Sequence, residues 1–415
     1  MSQSPRLWTV ISCTLLVASL GAGLSACGSK ENPLAARPHD AAEMVSFNQP
    51  SGGRPVDPDR PLEVTAKGEE GRITDVLAQD ARGRRLAGEL SADGRRWHST
   101  VPMAAGTRYT VLVGTEDAQG APGRRTLTFD TTPAHKLLKV TFGPDAGTYG
   151  VGQPLTAELS EPVKDKAQRA VVERSLLVES SPRVEGVWHW VDDENLHFRP
   201  KEYWPAHGRV TVRSNLEGIR VGELHGAASA PLTLEFGDRI EAITDAASHQ
   251  LTFKRNGEVI NTIPVTTGKP GYSTRNGVKV VLGKQYFVRM RGTSIGIPTS
   301  SSDSYDLPVY WATRVTWSGE YVHAAPWSVG SHGYENVSHG CTGMSTGNAA
   351  WFYENVREGD IVKVINSYGE DMNPFGNGFG DWNLDWDAWR EGSALLAGAP
   401  DGRGPQDAAR LRPKV

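Results

Sequence analysis

Three features are scarce in this sequence of 415 residues: excess charge of one sign, long apolar helical runs, and cysteine. Lysine and arginine number 44 against 48 aspartate and glutamate, so the net charge is −4 and nothing offers nucleic acid a basic footprint. Glycine and proline are abundant, at 46 and 26 residues, which favours β-structure with many turns. The length predicts two to four domains.

An apolar stretch at the N-terminus runs from Leu7 to about Leu20 and is too short and interrupted to predict a membrane span. It leads into LSAC at residues 24–27, which resembles the lipobox of bacterial lipoproteins. We therefore predict a lipoprotein signal peptide over residues 1–27 and lipidation of Cys27, with an ordinary signal peptide as the alternative. The protein is then anchored by lipid to the outer face of a bacterial plasma membrane.

The predicted cleavage and lipidation determine how many cysteines remain free in the mature protein. Cys13 leaves with the signal peptide and Cys27 carries lipid, so Cys341 has no disulfide partner. It is then a reactive thiol, an inert core residue or a metal ligand. Its polar, glycine-rich surroundings disfavour a core position. The histidines that a zinc site would add follow no standard zinc spacing: His323, His332 and His339.

After a predicted linker at residues 28–45, short alternating segments separated by Gly, Asp and Pro clusters fill the first half of the chain. They predict two immunoglobulin-like sandwiches, residues 46–133 and 134–237. Within the second, the run WHW at residues 188–190 is either a carbohydrate platform or alternating core residues of a strand. We favour the strand.

The third region mixes strands with one helix. Asn-Gly at residues 256–257 predicts a hairpin turn. Ser345 or Thr346 can cap a helix that Gly359 ends, and residues 360–365 alternate into a strand.

The segment that follows is predicted to be a C-terminal subdomain, residues 367–395, with a disordered tail at 396–415. Trp382, Trp386 and Trp389 follow the spacing of one helical face, and we expect this stripe to dock onto the third domain.

A nucleophilic Cys341 needs a base and donors for an oxyanion. His339 lies only two residues away on an extended segment, and we expect it to be poorly placed to take the proton. His323 ends a predicted strand 18 residues upstream and can reach the thiol if the intervening loop folds back. Gly340 permits close backbone approach, so the N–H groups of Gly340 and Cys341 are candidate oxyanion donors.

The stretch YVHAAPWSVGSHGYENVSHGCTGMSTGN, with its SHGC core, resembles the active-site signature of L,D-transpeptidases with a YkuD-type catalytic domain. The resemblance covers residues 238–366. It implies a mainly β chain: two immunoglobulin-like β-sandwich domains, a β-rich YkuD-type catalytic domain with a short helix, and a C-terminal subdomain.

By this resemblance Cys341 is the nucleophile, His323 the general base and His339 a histidine that shapes the pocket. Ser338 and Gly340 match positions around the oxyanion pocket. The remaining matches line the substrate channel or its lid: Trp327, Tyr305, Met290 and Trp317.

Two residues depart from the family pattern. Ala324 follows the base histidine where serine is common, and Gly343 stands where the family favours asparagine. A backbone carbonyl at residue 324 would orient the imidazole equally well, whereas Gly343 removes a donor to substrate, worth roughly 1–3 kcal/mol.

The resemblance implies peptidoglycan tetrapeptide stems as donor and acceptor, no metal or cofactor, and 3→3 cross-links made through a Cys341 thioester with release of D-Ala. A stem-binding module without turnover is the alternative. A carboxypeptidase or a transferase that attaches wall proteins would use the same thioester.

Overall fold

The structure, a computed structural model, describes residues 38–49, 54–68 and 71–396. The predicted signal peptide, Cys27 and nearly all of the predicted disordered tail lie outside these residues. Among the described residues, none of the helices has the length and apolar character needed to cross a membrane.

The first domain is a sandwich whose faces meet in one core. Its strands are β1 (His39–Asp40), β2 (Val45–Phe47), β3 (Glu63–Ala66), β4 (Arg72–Asp80), β5 (Gly88–Leu90), β6 (Arg96–Ser99), β7 (Arg108–Glu116) and β8 (Pro122–Asp130). They form sheets in the orders β1-β8-β7-β4 and β2-β3-β6-β5. In β7, Tyr109, Val111 and Val113 alternate with exposed residues and are buried, as the period of two requires. Since β1 pairs with β8, this sandwich begins before residue 46.

The second domain is also a sandwich. Its elements are β9 (Leu137–Leu138), β10 (Val140–Gly143), β11 (Gly147–Tyr149), β12 (Leu155–Leu159), α1 (Lys166–Ser175), β13 (Leu176–Ser181), β14 (Gly186–Trp190), β15 (Asn195–Pro200), β16 (Arg209–Ser214), β17 (Arg220–Val221), β18 (Leu224–Gly226) and β19 (Leu232–Phe236). Its main sheets run β10-β12-β15-β14 and β11-β19-β16-β13. Trp188 and Trp190 are buried in its core, so the strand interpretation is confirmed and the carbohydrate platform is wrong.

The third domain carries two further sheets, in the orders β22-β21-β20-β28-β23 and β24-β25-β26-β27. Its elements are β20 (Ile240–Asp245), β21 (Gln250–Arg255), β22 (Glu258–Pro264), β23 (Gly277–Val280), β24 (Gly283–Arg291), β25 (Asp306–Arg314), β26 (Tyr321–Ala324), β27 (Thr342–Met344), α2 (Thr346–Asn355) and β28 (Ile361–Ile365). Asn256 and Gly257 turn the β21–β22 hairpin with positive φ values of 52° and 88°, as predicted.

Helix α2 joins the two sheets of this domain. The Ser345 hydroxyl accepts a hydrogen bond from the Asn348 N–H, which confirms the predicted N-cap. Phe352 and Ala349 on its inner face are buried in the core between the sheets. The helix ends at Asn355, before the predicted Gly359, because Val356 is already extended.

The predicted docking of the tryptophan stripe onto the third domain is wrong. Only Trp386 and Trp389 lie in a helix, α3 (Trp386–Glu391), and Trp382 belongs to a separate turn of 3-10 helix. The Trp389 indole is fully buried and donates to the Val187 carbonyl of the second domain at 3.0 Å. The second sandwich therefore receives this face, and the contacts with its strand β14 fix the tail.

Candidate active site

Cys341 and His323 are brought together by two neighbouring strands. Strands β26 and β27 pair in parallel, with Val322 opposite Thr342 and His323 opposite Gly343. Cys341 immediately precedes β27, two residues before the partner of His323. Because residues two apart on a strand share a face, the thiol and the imidazole emerge on the same side of the sheet.

The His323 side chain is held in one tautomer. Its Nδ1–H donates to the Ala324 carbonyl at 2.8 Å, which leaves the Nε2 lone pair free to accept a proton. Burial lowers the pKa of His323 to about 4, only partly offset by that hydrogen bond. The imidazole is therefore neutral at pH 7, as a general base must be.

The Cys341 thiol is uncharged in this state. It is a free cysteine whose Sγ donates a weak hydrogen bond to the Gly319 carbonyl at 3.6 Å. Burial raises the pKa of the Cys341 thiol to about 12, while the Tyr321 backbone N–H favours the thiolate. Since both the imidazole and the thiol are neutral, no preformed ion pair supplies a thiolate, and attack by Sγ would require its proton to move at the same time.

The turn before the nucleophile is braced by Ser338. Its hydroxyl donates to the Cys341 carbonyl at 2.6 Å and accepts the Gly340 N–H at 3.1 Å. In this state the Gly340 N–H is therefore engaged by Ser338, and its role as an oxyanion donor stays a prediction. Gly340 has φ of 120°, a conformation open to glycine, and its carbonyl accepts from the Thr274 hydroxyl at 2.9 Å.

His339 lies in a group of aromatic rings. Its ring packs against Tyr272 and Tyr305, with centroids 4.8 and 4.9 Å apart, and its Nε2 lies 3.9 Å from Asp303 Oδ1. The spacing argument against His339 as the base is wrong, since residues two apart on an extended segment share a face. Its ring meets that of Tyr272 edge-on and that of Tyr305 at a tilt.

The structure places the remaining predicted residues in different surroundings. Burial and the nearby Cys341 raise the pKa of Tyr305 to about 12. Met290 packs against the same small cluster as Cys341, and half-exposed Trp327 lies with its ring 6.0 Å from that of His323. Trp317 instead lies against Arg314 and donates its backbone N–H to Asn377.

Sequence reasoning missed a group of charged residues behind the nucleophile: Arg275, Lys279 and Glu320. Lys279 lies in the buried strand β23 with a side chain only 1% exposed, and Glu320 is its partner. The available signal was the lysine inside the apolar run GVKVV, because a lysine is rarely buried without a partner. Among the described residues, no group of three or more His, Cys, Asp or Glu side chains could hold a metal ion.

Comparison with known proteins agrees with this arrangement. A profile for a bacterial Ig domain matches residues 54–220, and one for the L,D-transpeptidase catalytic domain matches residues 239–364. L,D-transpeptidase 2 of Mycobacterium tuberculosis is 34% identical over 400 residues, covering 94% of this chain and 96% of that protein. L,D-transpeptidase 1 of the same species is 39% identical over 221 residues, covering 53% of this chain and 82% of that protein.

A solved L,D-transpeptidase from Mycobacterium smegmatis is 37% identical, covers 55% of this chain and 98% of its own, and gives a TM-score of 0.46. Another, solved in complex with imipenem, is also 37% identical, covers 54% of this chain and 95% of its own, and gives a TM-score of 0.47. Because L,D-transpeptidase 2 matches almost end to end, the chain belongs to the L,D-transpeptidase family, with Ig-like domains preceding a YkuD catalytic domain.

Proposed function

We propose that this protein cross-links peptidoglycan stems through a thioester on Cys341. The observations that support the proposal are the fixed tautomer of His323, which leaves Nε2 as the acceptor, and the pairing of its strand with the strand that directly follows Cys341. A base and a nucleophile on one face suit acyl transfer, and family membership supports transpeptidation.

The chemistry follows two half-reactions. His323 Nε2 takes the thiol proton as Sγ attacks the carbonyl of the third, diaminopimelyl residue of a tetrapeptide stem. The C–N bond to the terminal D-Ala breaks, and the leaving amine takes the proton from His323. The side-chain amine of a second stem's diaminopimelyl residue then attacks the thioester, transfers a proton to His323 and forms the 3→3 amide, releasing the thiol.

Two of the alternatives, a carboxypeptidase and an attaching transferase, share the first half-reaction, whereas a binding module lacks it. Water in place of the acceptor amine makes the protein a carboxypeptidase, and an amine of a wall protein makes it an attaching transferase. A stem-binding module without turnover rested on Gly343 and Ala324. His323 keeps its tautomer through the Ala324 carbonyl, so that residue gives no ground for inactivity.

Lipid attachment through Cys27 would place this site on the outer face of the plasma membrane. At about 40 Å per sandwich, two such domains set the catalytic domain about 80 Å from the lipid surface. The proposed role of the sandwiches is that of a stalk reaching into the cell wall.

The test is a mass spectrum of the purified protein after mixing with a carbapenem and, separately, with a tetrapeptide donor. We expect an adduct on the Cys341 peptide in the first case and release of D-Ala in the second. Cys341→Ala abolishes both, and His323→Gln slows acylation by about 10²–10⁴-fold. An adduct that persists in Cys341→Ala would sink the assignment, and donor binding without D-Ala release would favour the binding module.

A further inference from the structure

A buried ion cluster lies directly behind the nucleophile. Lys279 Nζ is 2.6 Å from Glu320 Oε2 and donates to the Arg275 carbonyl at 2.8 Å. Glu320 Oε1 accepts the Arg275 backbone N–H at 3.0 Å and lies 3.3 Å from its guanidinium. Removing a lysine and a glutamate from water is costly, and such a pair is often no more stable than apolar residues of similar size. Stability alone therefore gives no reason to place these charges here.

The cluster touches the peptide groups that hold the thiol. Glu320 lies between Gly319, whose carbonyl accepts the Sγ–H, and Tyr321, whose N–H favours the thiolate. Its side chain also packs behind the turn before the nucleophile, since a Cβ added at Gly340 would lie 4.0 Å from Glu320 Cγ. The ammonium of Lys279 is thus held by a carboxylate whose side chain packs behind the turn before Cys341.

The sign of the cluster matters for the chemistry. Arg275 and Lys279 contribute two positive charges and Glu320 one negative charge, so the three residues carry a net charge of +1. The side chains of Lys279 and Glu320 are almost fully buried, where charges act more strongly than in water. Within the cluster the Lys279 ammonium favours an anion on Sγ, whereas the Glu320 carboxylate opposes it more strongly, so Lys279 offsets part of the cost that this carboxylate imposes.

We propose that Lys279, fixed by Glu320 and Arg275, is a positioning residue that stabilises the Cys341 thiolate while His323 takes its proton. The inference deepens the proposed function, on which it rests, by assigning the electrostatic support of the nucleophile. The burial that raises the pKa of the Cys341 thiol is opposed by Lys279, while Glu320 acts in the same direction as burial.

The test measures the thiol directly, through the pH dependence of iodoacetamide alkylation followed on the Cys341 peptide. The full-length chain carries Cys13→Ser and Cys27→Ser so that Cys341 is its only thiol. In Lys279→Met we expect the alkylation profile to move up by about one pH unit, which is about a tenfold slower reaction at pH 8. Lys279→Met with Glu320→Met removes one charge of each sign, and we expect its profile to return towards that of the parent.

Lys284→Met is the matched control. Lys284 is a partly buried lysine of the same domain, but its ammonium donates to the Tyr353 and Val356 carbonyls near the end of α2. We expect this variant to keep the parent alkylation profile.

If the cluster had only a structural role, the alkylation profile of the double variant would be shifted at least as far as that of Lys279→Met. That outcome overturns the inference. An unshifted profile in folded Lys279→Met does so as well. Should Lys279→Met not fold, the inference is tested by Glu320→Met alone, in which loss of the negative charge moves the profile down, and an upward shift overturns it. Iodoacetamide needs no stem peptide, so these outcomes are independent of carbapenem acylation and D-Ala release, which test the proposed function.

Discussion

At the scale of single residues, one backbone carbonyl sets the state of His323. The Ala324 oxygen accepts the Nδ1–H, and any residue at this position offers the same oxygen. The missing serine hydroxyl therefore leaves the tautomer unchanged. Because the pKa of His323 is lowered by burial to about 4, the base stays unprotonated across the neutral range.

Gly343 lies where an added side chain would be tightly packed. A Cβ at this position would lie 3.0 Å from Ala325 Cβ and 3.1 Å from Thr266 Cγ2, because β27 and residue 266 exchange backbone hydrogen bonds of 2.8 and 2.9 Å. Gly343→Asn is expected to destabilise the protein by about 1–3 kcal/mol through overpacking, measured as a lower Tm by calorimetry.

Gly347→Asn is the control for that substitution, since a Cβ there meets open space. We expect it to change the Tm little. A Gly343→Asn variant with the parent Tm and faster acylation would show instead that the position had lost a substrate contact.

The candidate nucleophile and base could be predicted from the sequence, whereas the charged residues near them were missed. Cys341 and His323 stand out because cysteine is rare and the spacing is specific. The place of Lys279 becomes clear only from its ion pair with Glu320, which lies far away in the sequence. The engagement of the Gly340 N–H was equally hidden, because it depends on the rotamer of Ser338.

At the scale of elements, the start of β28 carries a buried carboxyl at the contact with the second sandwich. The Gly150 and Gly152 N–H groups donate to the Glu358 and Gly359 carbonyls at 2.8 and 2.9 Å. Next to them, fully buried Asp360 accepts the Arg357 N–H at 2.8 Å through Oδ2, while its Oδ1 is without a hydrogen-bond partner among the described residues.

Burial raises the pKa of Asp360 from 3.8 to about 7. The folded state therefore binds a proton that the unfolded state has released. The resulting stability is fully present below the unfolded value of 3.8 and is lost as the pH rises through about 7. Asp360→Asn removes this dependence, so we expect its Tm relative to the parent to be higher at pH 8 than at pH 5.

Asp245→Asn is the control of opposite sign. The Asn366 side-chain amide and nearby backbone N–H groups hold the pKa of Asp245 below its usual value. Its charge therefore stabilises the folded state at pH values above the unfolded pKa, and this stability is lost as the pH falls through the folded pKa. We expect Asp245→Asn to lower the Tm at pH 8. An Asp360→Asn variant whose Tm difference from the parent is the same at both pH values would contradict the assignment.

Local signals predicted elements well where they act within a few residues. The 256–257 turn and the Ser345 cap were found because their hydrogen bonds and dihedral angles are local. The prediction for the tail was wrong because the conformation of the tail depends on residues that are distant in the sequence. Its tryptophans follow a helical period, but Trp382 leaves the helix to donate to the Gly152 carbonyl at 2.8 Å.

At the scale of the whole molecule, side chains that cross domain boundaries join the three domains. Between the sandwiches, the Arg84 guanidinium donates to the Asn215 and Glu217 carbonyls at 2.6 and 2.8 Å. The tail joins the second sandwich to the catalytic domain, where Asn383 accepts the Val278 N–H at 2.7 Å and donates to its carbonyl at 2.8 Å.

Trp389 is the centre of the tail's contact with the second sandwich. Its ring stacks on His189 at 4.6 Å and lies under the Arg199 guanidinium at 4.6 Å. Trp389→Ala leaves a cavity at this boundary, and we expect a loss of about 3–5 kcal/mol in the unfolding free energy, measured by denaturant titration.

The core of the catalytic domain is untouched, so acylation of Cys341 persists below the unfolding transition. Tyr368→Ala, which removes an almost fully exposed ring from the same tail, leaves stability unchanged. A Trp389→Ala variant as stable as Tyr368→Ala would mean that the tail does not hold the second sandwich to the catalytic domain.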